Sequence, residues 1–203
     1  MKLFTTPAFF QKVNPARTWR MPTEDRKIYL TFDDGPTEEI TYWILDSLKQ
    51  FNALATFFCV GENISQYTAQ MQAMKEAGHT VGNHTYNHLN GFKTPVNEYI
   101  ENTEKCAPLV NNLLFRPPYG KITQKQSGIL RQKGYSIIMW SLLTYDYLEN
   151  LDKEKAFNKI KRYAEAGSII VFHDNIKAEK NMKYLLPKTL EFLSENGFQF
   201  AAL

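Results

Sequence analysis

Apolar residues are grouped along the chain in short runs, and longer amphipathic segments separate these runs. Short apolar runs bounded by turn residues indicate buried strands, whereas apolar residues spaced three or four apart indicate helices. The predicted strands cover residues 28–32, 55–60, 80–83, 113–115, 137–140, 169–172 and 198–202. The predicted helices cover residues 37–51, 65–77, 123–134, 152–166 and 182–195, and a further helix begins at residues 94–95.

Capping and turn residues support the ends of these elements. Thr37 is expected to cap the first helix, and Thr123 with Gln126 has the pattern of a capping box. Pro187 is placed in the first turns of the last helix, where its missing N–H matters least. Glycines that follow helical segments mark helix ends, namely Gly78, Gly134, Gly167 and Gly197.

The alternation of strands with helices predicts an α/β fold. Strands joined by helical crossovers pair in parallel, and the helices cover both faces of the sheet. Periodicity does not decide whether such a sheet stays open or closes into a barrel. In either case the chemistry is expected at the carboxyl ends of the strands, where the loops of these sheets gather.

Composition narrows the class of protein. The chain has 203 residues, of which 43% are hydrophobic, so it can form one globular domain with a substantial core. Its 24 basic and 21 acidic residues are interspersed, and the net charge of +3 includes no long basic run. We therefore expect no nucleic-acid partner.

The two cysteines are expected to be structural. Cys59 and Cys106 belong to no CxxC pair, so we expect buried, reduced thiols.

The first residues carry an apolar patch that does not have the form of a signal peptide. Lys2 precedes the apolar stretch 3–10, but Thr5, Thr6 and Pro7 interrupt it and no small-residue cleavage site follows. No stretch approaches the roughly 20 apolar residues that span a membrane. We therefore expect a soluble, cytoplasmic protein without a membrane partner.

Titratable residues collect directly after the predicted strands. Five strand ends carry such residues, namely Asp33 and Asp34, His84 and His88, Arg116, Asp146, and His173 with Asp174. Because the carboxyl ends of parallel strands meet at one edge of the sheet, these side chains are expected to converge.

His84 and His88 have a spacing that suits a shared metal ion. Two imidazoles and one carboxylate would leave a tetrahedral zinc ion one open position for chemistry. Histidines four residues apart are, however, more often structural or exposed, so the pair alone leaves both interpretations open.

Asp33 and Asp34 stand in an Asp-Asp-Gly-Pro sequence, which by itself also favours a turn. Adjacent residues on a strand point to opposite sides, so one carboxylate can bind a cation while the other stays free as a base.

His173 is either a histidine at the edge of the core or a general acid. Arg116 is either solvated or held by two prolines for a bidentate carboxylate contact. His79 is interpreted as structural.

Four segments together resemble the ordered motifs of the polysaccharide deacetylase family, also known as the NodB homology domain or carbohydrate esterase family 4. They are residues 31–35 (TFDDG), 84–88 (HTYNH), 116–119 (RPPY) and 169–173 (IIVFH). The resemblance covers residues 27–203, which it identifies as a catalytic domain after a lead-in of residues 1–26. It implies a distorted (β/α)7 barrel of the NodB-like deacetylase fold.

The resemblance also implies a metal site and a general base. One divalent cation, zinc or alternatively cobalt or another divalent ion, would be held by Asp34, His84 and His88. Asp33 would be the general base, and Arg116 would hold it in place.

Further roles follow from the resemblance. His173 would protonate the leaving group, and Asp146 would orient His173. A backbone N–H near Tyr119 would complete the oxyanion site, and Tyr147 would form an aromatic wall near the acyl group. Relatives place an Asp-x-x-Asp-Trp sequence here, whereas this chain has Leu143 and Tyr147 at its first and last positions. Turnover and acyl preference are therefore open.

The resulting hypothesis is hydrolysis of an N-acetyl group on an acetylated sugar or oligosaccharide, with O-acetyl sugars as a variant. One alternative is a carbohydrate-binding relative that lost catalysis, an idea motivated by Leu143. Another is a metal hydrolase of a small cyclic amide or a phosphate ester. Oligomeric state is left open by the sequence.

Overall fold

A computed structural model describes residues 4–22 and 25–203. The strands of this part of the chain are β1 (Lys27–Asp33), β2 (Ala55–Cys59), β3 (Thr80–Asn83), β4 (Leu114–Phe115), β5 (Ser136–Ile137), β6 (Leu142–Leu143), β7 (Ile169–His173) and β8 (Gln199–Phe200). The helices are α1 (Ala8–Val13), α2 (Ile40–Lys49), α3 (Gly61–Gln66), α4 (Thr68–Glu76), α5 (Val96–Val110), α6 (Gln124–Gln132), α7 (Lys153–Tyr163) and α8 (Glu179–Glu195).

The strands form one parallel sheet that curves into a half-barrel. Its order is β5-β4-β3-β2-β1-β7-β6, and β8 pairs with the first residues of β1. The α/β class and the distorted barrel are therefore confirmed, with β5 and β6 as the two edges. Strand β6 was not among the predicted strands, because a two-residue strand is too short to show a periodic pattern.

Strand β1 lies at the centre of the sheet and separates two kinds of environment. Phe32 faces the helices, and its ring centroid is 4.9 Å from that of Phe57 on β2 and 5.7 Å from that of Phe172 on β7. These rings stack because Phe32 is in register with both neighbours. Thr31 and Asp33 alternate with Phe32, so they point to the opposite face, the interior of the half-barrel.

Two predicted helices differ from the observed ones near the site. Helix α2 begins at Ile40 rather than at residue 37, and Thr37 does not cap it. The Thr37 hydroxyl instead donates to Asp174 Oδ1 over 2.7 Å, so a tertiary contact takes the place of the cap. The helix predicted over residues 65–77 is two helices, α3 and α4, which break at Tyr67 with φ −114° and ψ 57°.

Later elements confirm some predictions and correct others. The capping box of α6 is confirmed, since Thr123 and Gln126 each accept a hydrogen bond from the other's backbone N–H. Helix α8 begins at Glu179, so Pro187 lies in its middle and not in its first turns. The strand predicted over residues 137–140 ends at Ile137, because the Arg116 side chain binds the next two carbonyls.

The lead-in runs along the open side of the half-barrel. Thr18 pairs in parallel with Ile138 beside β5, and Thr5 pairs antiparallel with Leu142 of β6. Phe4 is buried in the main core cluster. Lys2 and the first residue of the predicted apolar patch lie outside the described residues. The boundary at residue 26 stays a prediction.

Three side chains that we expected to be structural are buried in the fold. Cys59 and Cys106 are free, buried thiols, and burial raises the pKa of Cys106 to about 12. His79 Nδ1 accepts a hydrogen bond from the Ala55 N–H over 3.2 Å, and burial lowers the pKa of His79 to about 4. Among residues 4–22 and 25–203, every helix is too short or too polar to cross a bilayer.

The aromatic stack beneath β1 is expected to be a main source of stability. Phe57→Ala should lower the free energy of unfolding by about 3–5 kcal/mol, because it removes a fully buried ring and leaves a cavity. Phe9→Ala, at a position 68% exposed, is the matched control and should change it by less than about 0.5 kcal/mol. Urea denaturation measures both, and equal losses would contradict the stack's role.

Candidate active site

Three predicted metal ligands converge at the carboxyl ends of β1 and β3. Asp34 Oδ1 lies 3.0 Å from His88 Nε2 and 3.5 Å from His84 Nε2. One ligand atom from each of the three residues lies within 4.8 Å of the others. A carboxylate oxygen and two imidazole nitrogens form a donor set that suits zinc, so the residues fit a divalent cation. Their role as ligands stays a prediction.

The orientation of His84 is set by a backbone carbonyl. His84 is 2% exposed, and its Nδ1–H donates to the Arg116 carbonyl over 2.7 Å. This hydrogen bond leaves Nε2 facing Asp34, as a metal-binding histidine requires. Thr85, next in the chain, has φ 62°, and its backbone N–H donates to Asn83 Oδ1 over 2.8 Å. The strained turn carries the chain toward His88, which itself has φ 55°.

Asp34 is held by its backbone as well as by its side chain. Its φ is 81°, and Asn63 Nδ2 donates to its carbonyl oxygen over 2.7 Å. Burial opposes ionisation of Asp34, but hydrogen bonds from His84 and His88 outweigh it and hold the pKa well below its ordinary value. The carboxylate is therefore ionised at neutral pH.

Asp33 is paired with a fully buried arginine. Arg116 Nη1 lies 2.7 Å from Asp33 Oδ1, and it also donates to Thr31 Oγ1 over 2.7 Å. The guanidinium stacks on the Phe58 ring, with its central carbon 4.2 Å from the ring centroid. Desolvation lowers the pKa of Arg116, but Asp33 counteracts this shift. The predicted contact between Arg116 and Asp33 is present, with one carboxylate oxygen engaged.

His173 and Asp146 form a second ion pair at the end of β7. His173 Nδ1 lies 2.7 Å from Asp146 Oδ1, and the His173 backbone N–H donates to Asp146 Oδ2 over 2.8 Å. Burial lowers the pKa of His173, but the charge and hydrogen bond of Asp146 outweigh it and raise the pKa to about 9. The imidazole is therefore protonated at neutral pH, as a general acid requires.

Three further polar residues support these groups, and only Asp174 among them was named from the sequence, without a role. Asp174 is buried, and the hydroxyls of Thr37 and Thr41 donate to its two oxygens over 2.7 and 2.6 Å. Burial raises the pKa of Asp174 to about 6. Asn63 and Asn175 both bind Asp34. The position of Asp174 and Asn175 directly after His173 was the sequence signal for these two residues. Asn63 has no such signal, because it is remote in sequence from Asp34, which it contacts.

A cleft of about 890 Å³ lies over the cluster and is lined by Asp33, Asp34, His84, His88 and His173. Other predicted side chains form its walls. The ring centroid of Tyr119 is 4.6 Å from that of His88, and the Tyr147 centroid is 4.8 Å from that of His173. Tyr119 has φ 60° and is 60% exposed. Leu143 also lines the cleft, so an apolar side chain faces this space.

Comparisons with known proteins identify the family of this chain, whose relatives are named as deacetylases, hydrolases acting on non-peptide carbon–nitrogen bonds. A model of the polysaccharide deacetylase family matches residues 20–138. A peptidoglycan-N-acetylglucosamine deacetylase from Bacillus cereus is 35% identical over 189 residues, which cover 90% of this chain and 68% of that relative. The chain belongs to the polysaccharide deacetylase family.

Solved structures agree on the fold. The structure of a peptidoglycan N-acetylglucosamine deacetylase matches with a TM-score of 0.89 and 32% identity, covering 98% of this chain and 95% of the other. A carbohydrate esterase family 4 pseudoenzyme from Bacillus anthracis matches with a TM-score of 0.81 and 22% identity, covering 93% and 68%. At that identity the second likeness shows the fold alone.

The pair of Arg116 with Asp33 gives a test of the site's electrostatics. Arg116→Met should lower the free energy of unfolding by about 3–5 kcal/mol, because it leaves Asp33 buried without its partner. Adding Asp33→Asn should recover part of the loss. Lys133→Met breaks an exposed pair with Glu104 and should cost less than about 1 kcal/mol. If the double variant is no more stable than Arg116→Met, the unpaired charge is not the cause.

Proposed function

We propose that this protein hydrolyses the N-acetyl group of an acetylated amino sugar within an oligosaccharide or polymer of the peptidoglycan type. One observation carries the proposal. Asp33, held by Arg116, and His173, held by Asp146, line the same cleft as the cluster of Asp34 and two histidines. A base and an acid are thus available beside a set of metal-binding side chains.

The two ion pairs support opposite proton transfers. Asp33 would accept a proton from the attacking water, and Arg116 fixes the position of its carboxylate. His173 would donate its proton to the departing amine, because Asp146 keeps the imidazole protonated. A zinc ion held by Asp34, His84 and His88 would supply Lewis-acid polarisation of water and of the acyl carbonyl.

The walls of the cleft bear on the acyl group. The backbone N–H of Tyr119 would stabilise the oxyanion, and the Tyr147 ring beside His173 would pack against the acetyl methyl. An O-acetyl sugar is a weaker candidate, because an alkoxide leaving group has less need of the protonated His173. The Bacillus cereus relative is named for peptidoglycan N-acetylglucosamine, which supports the N-acetyl substrate. The cytoplasmic location stays a prediction.

A non-catalytic, sugar-binding role is the second candidate. Leu143 lines the cleft, at a position where the family resemblance implies an acid. The ion pairs of Asp33 and His173 favour catalysis, because both groups that transfer protons have partners in place.

Acetate release from N-acetylglucosamine oligomers is the direct test. The zinc-loaded protein should release acetate, a chelator should abolish release, and Asp33→Asn should lower the rate by about 10²–10⁴-fold. Asp46→Asn, at an exposed acid on α2, is the control and should leave the rate unchanged. Binding of the oligomer without release of acetate would instead favour the non-catalytic role.

The pair of His173 with Asp146 predicts a pH dependence. A pKa raised to about 9 keeps the acid protonated at lower pH, so kcat/KM should fall as pH rises through about 9. Asp146→Asn removes the charge that raises this pKa, and the basic limb should move to lower pH. Asp152→Asn, which retains a cap for α7, is the control. If the basic limb of the kcat/KM profile of Asp146→Asn does not move, that limb does not report the ionisation of His173.

A further inference from the structure

The two oxygens of the Asp34 carboxylate have different surroundings. Oδ1 faces the histidines, at 3.0 Å from His88 Nε2 and 3.5 Å from His84 Nε2. Oδ2 points away from them and accepts a hydrogen bond from Asn175 Nδ2 over 2.6 Å. One oxygen therefore belongs to the cluster, and the other belongs to the loop after β7.

Asn175 is itself fixed by a second hydrogen bond. Its Oδ1 accepts from the Ala178 N–H over 2.9 Å, in the turn that leads into α8. Both ends of the amide are thus engaged. If the amide were reversed, Nδ2 would face the Ala178 N–H and Oδ1 would face the Asp34 carboxylate, so that donor would meet donor and acceptor would meet acceptor. The Nδ2 atom is directed at Asp34 by the local fold of the turn.

The main chain of Asp34 is restrained at the same time. Asn63 Nδ2 donates to the Asp34 carbonyl over 2.7 Å, and the Asp34 N–H donates to the Phe58 carbonyl over 3.2 Å. With the main chain held at φ 81°, rotation of the carboxylate is the remaining freedom of this residue. The hydrogen bond from Asn175 opposes that rotation.

We propose that Asn175 is a positioning residue that restricts Asp34 to a single metal-binding oxygen. The inference rests on the metal site of the proposed function. A carboxylate bound through both oxygens would occupy one more coordination position, which the reacting groups need. Hydrogen bonds to metal ligands also raise metal affinity, and their loss typically costs about 10–100-fold.

The test measures metal binding by the full chain, separately from activity. Zinc is titrated into metal-free protein in competition with a coloured chelator. Asn175→Ala removes both hydrogen bonds, whereas Asn175→Ser removes the contact with Asp34 but retains an oxygen that can accept from Ala178 N–H. Both variants should bind zinc about 10–100-fold more weakly than the wild type. Asn90→Ala, which removes a similar bond to the Phe92 N–H, should bind normally.

A second readout reports the number of ligands. The visible absorption of Co²⁺ in Asn175→Ser should differ from that in the wild type, because the released Oδ2 becomes available as a further ligand. Unchanged zinc affinity and an unchanged cobalt spectrum in both variants, with normal unfolding of Asn175→Ser, would overturn the inference. Weaker zinc binding supports it even if the wild type releases no acetate, a result that would overturn only the proposed catalysis.

Discussion

The buried guanidinium of Arg116 connects the parts of the active site. It donates to Thr31 and Asp33 on β1, lies over Phe58 on β2, and binds two carbonyls after β5. Its own backbone carbonyl receives the Nδ1–H of His84. A buried cation is costly unless each donor has a partner, so these groups are compelled to stay together. One residue thereby couples Asp33, the barrel interior and the orientation of His84.

The loops above this interior store backbone strain at the site. Asp34, Thr85, His88, Tyr119 and Tyr145 all have positive φ, and each follows the end of a strand. Such conformations cost about 1–3 kcal/mol each when other residues than glycine adopt them. Hydrogen bonds from neighbouring side chains and main-chain groups offset the cost. The side chains at these strand ends are thereby held by their main chain, which suits a site that must keep charges at fixed distances.

Sequence alone determined the α/β class, most strands and the residues that meet at the strand ends. These inferences are local. The apolar run of β1 requires burial, Thr123 and Gln126 cap α6 within one turn, and the polar residues after parallel strands share one edge of the sheet. Asp33 and His173 were identified in this way, because each directly follows an apolar run.

Tertiary structure decided which partner each of these groups has. Thr37 is a good helix cap by sequence, yet its hydroxyl binds Asp174, because a buried carboxylate needs donors more than a helix end near solvent does. The end of β5 and the contacts of Asn63 and Asn175 with Asp34 likewise depend on residues distant in sequence. Hydrogen bonds between residues remote in sequence leave no periodic signal, so only the folded chain specifies them.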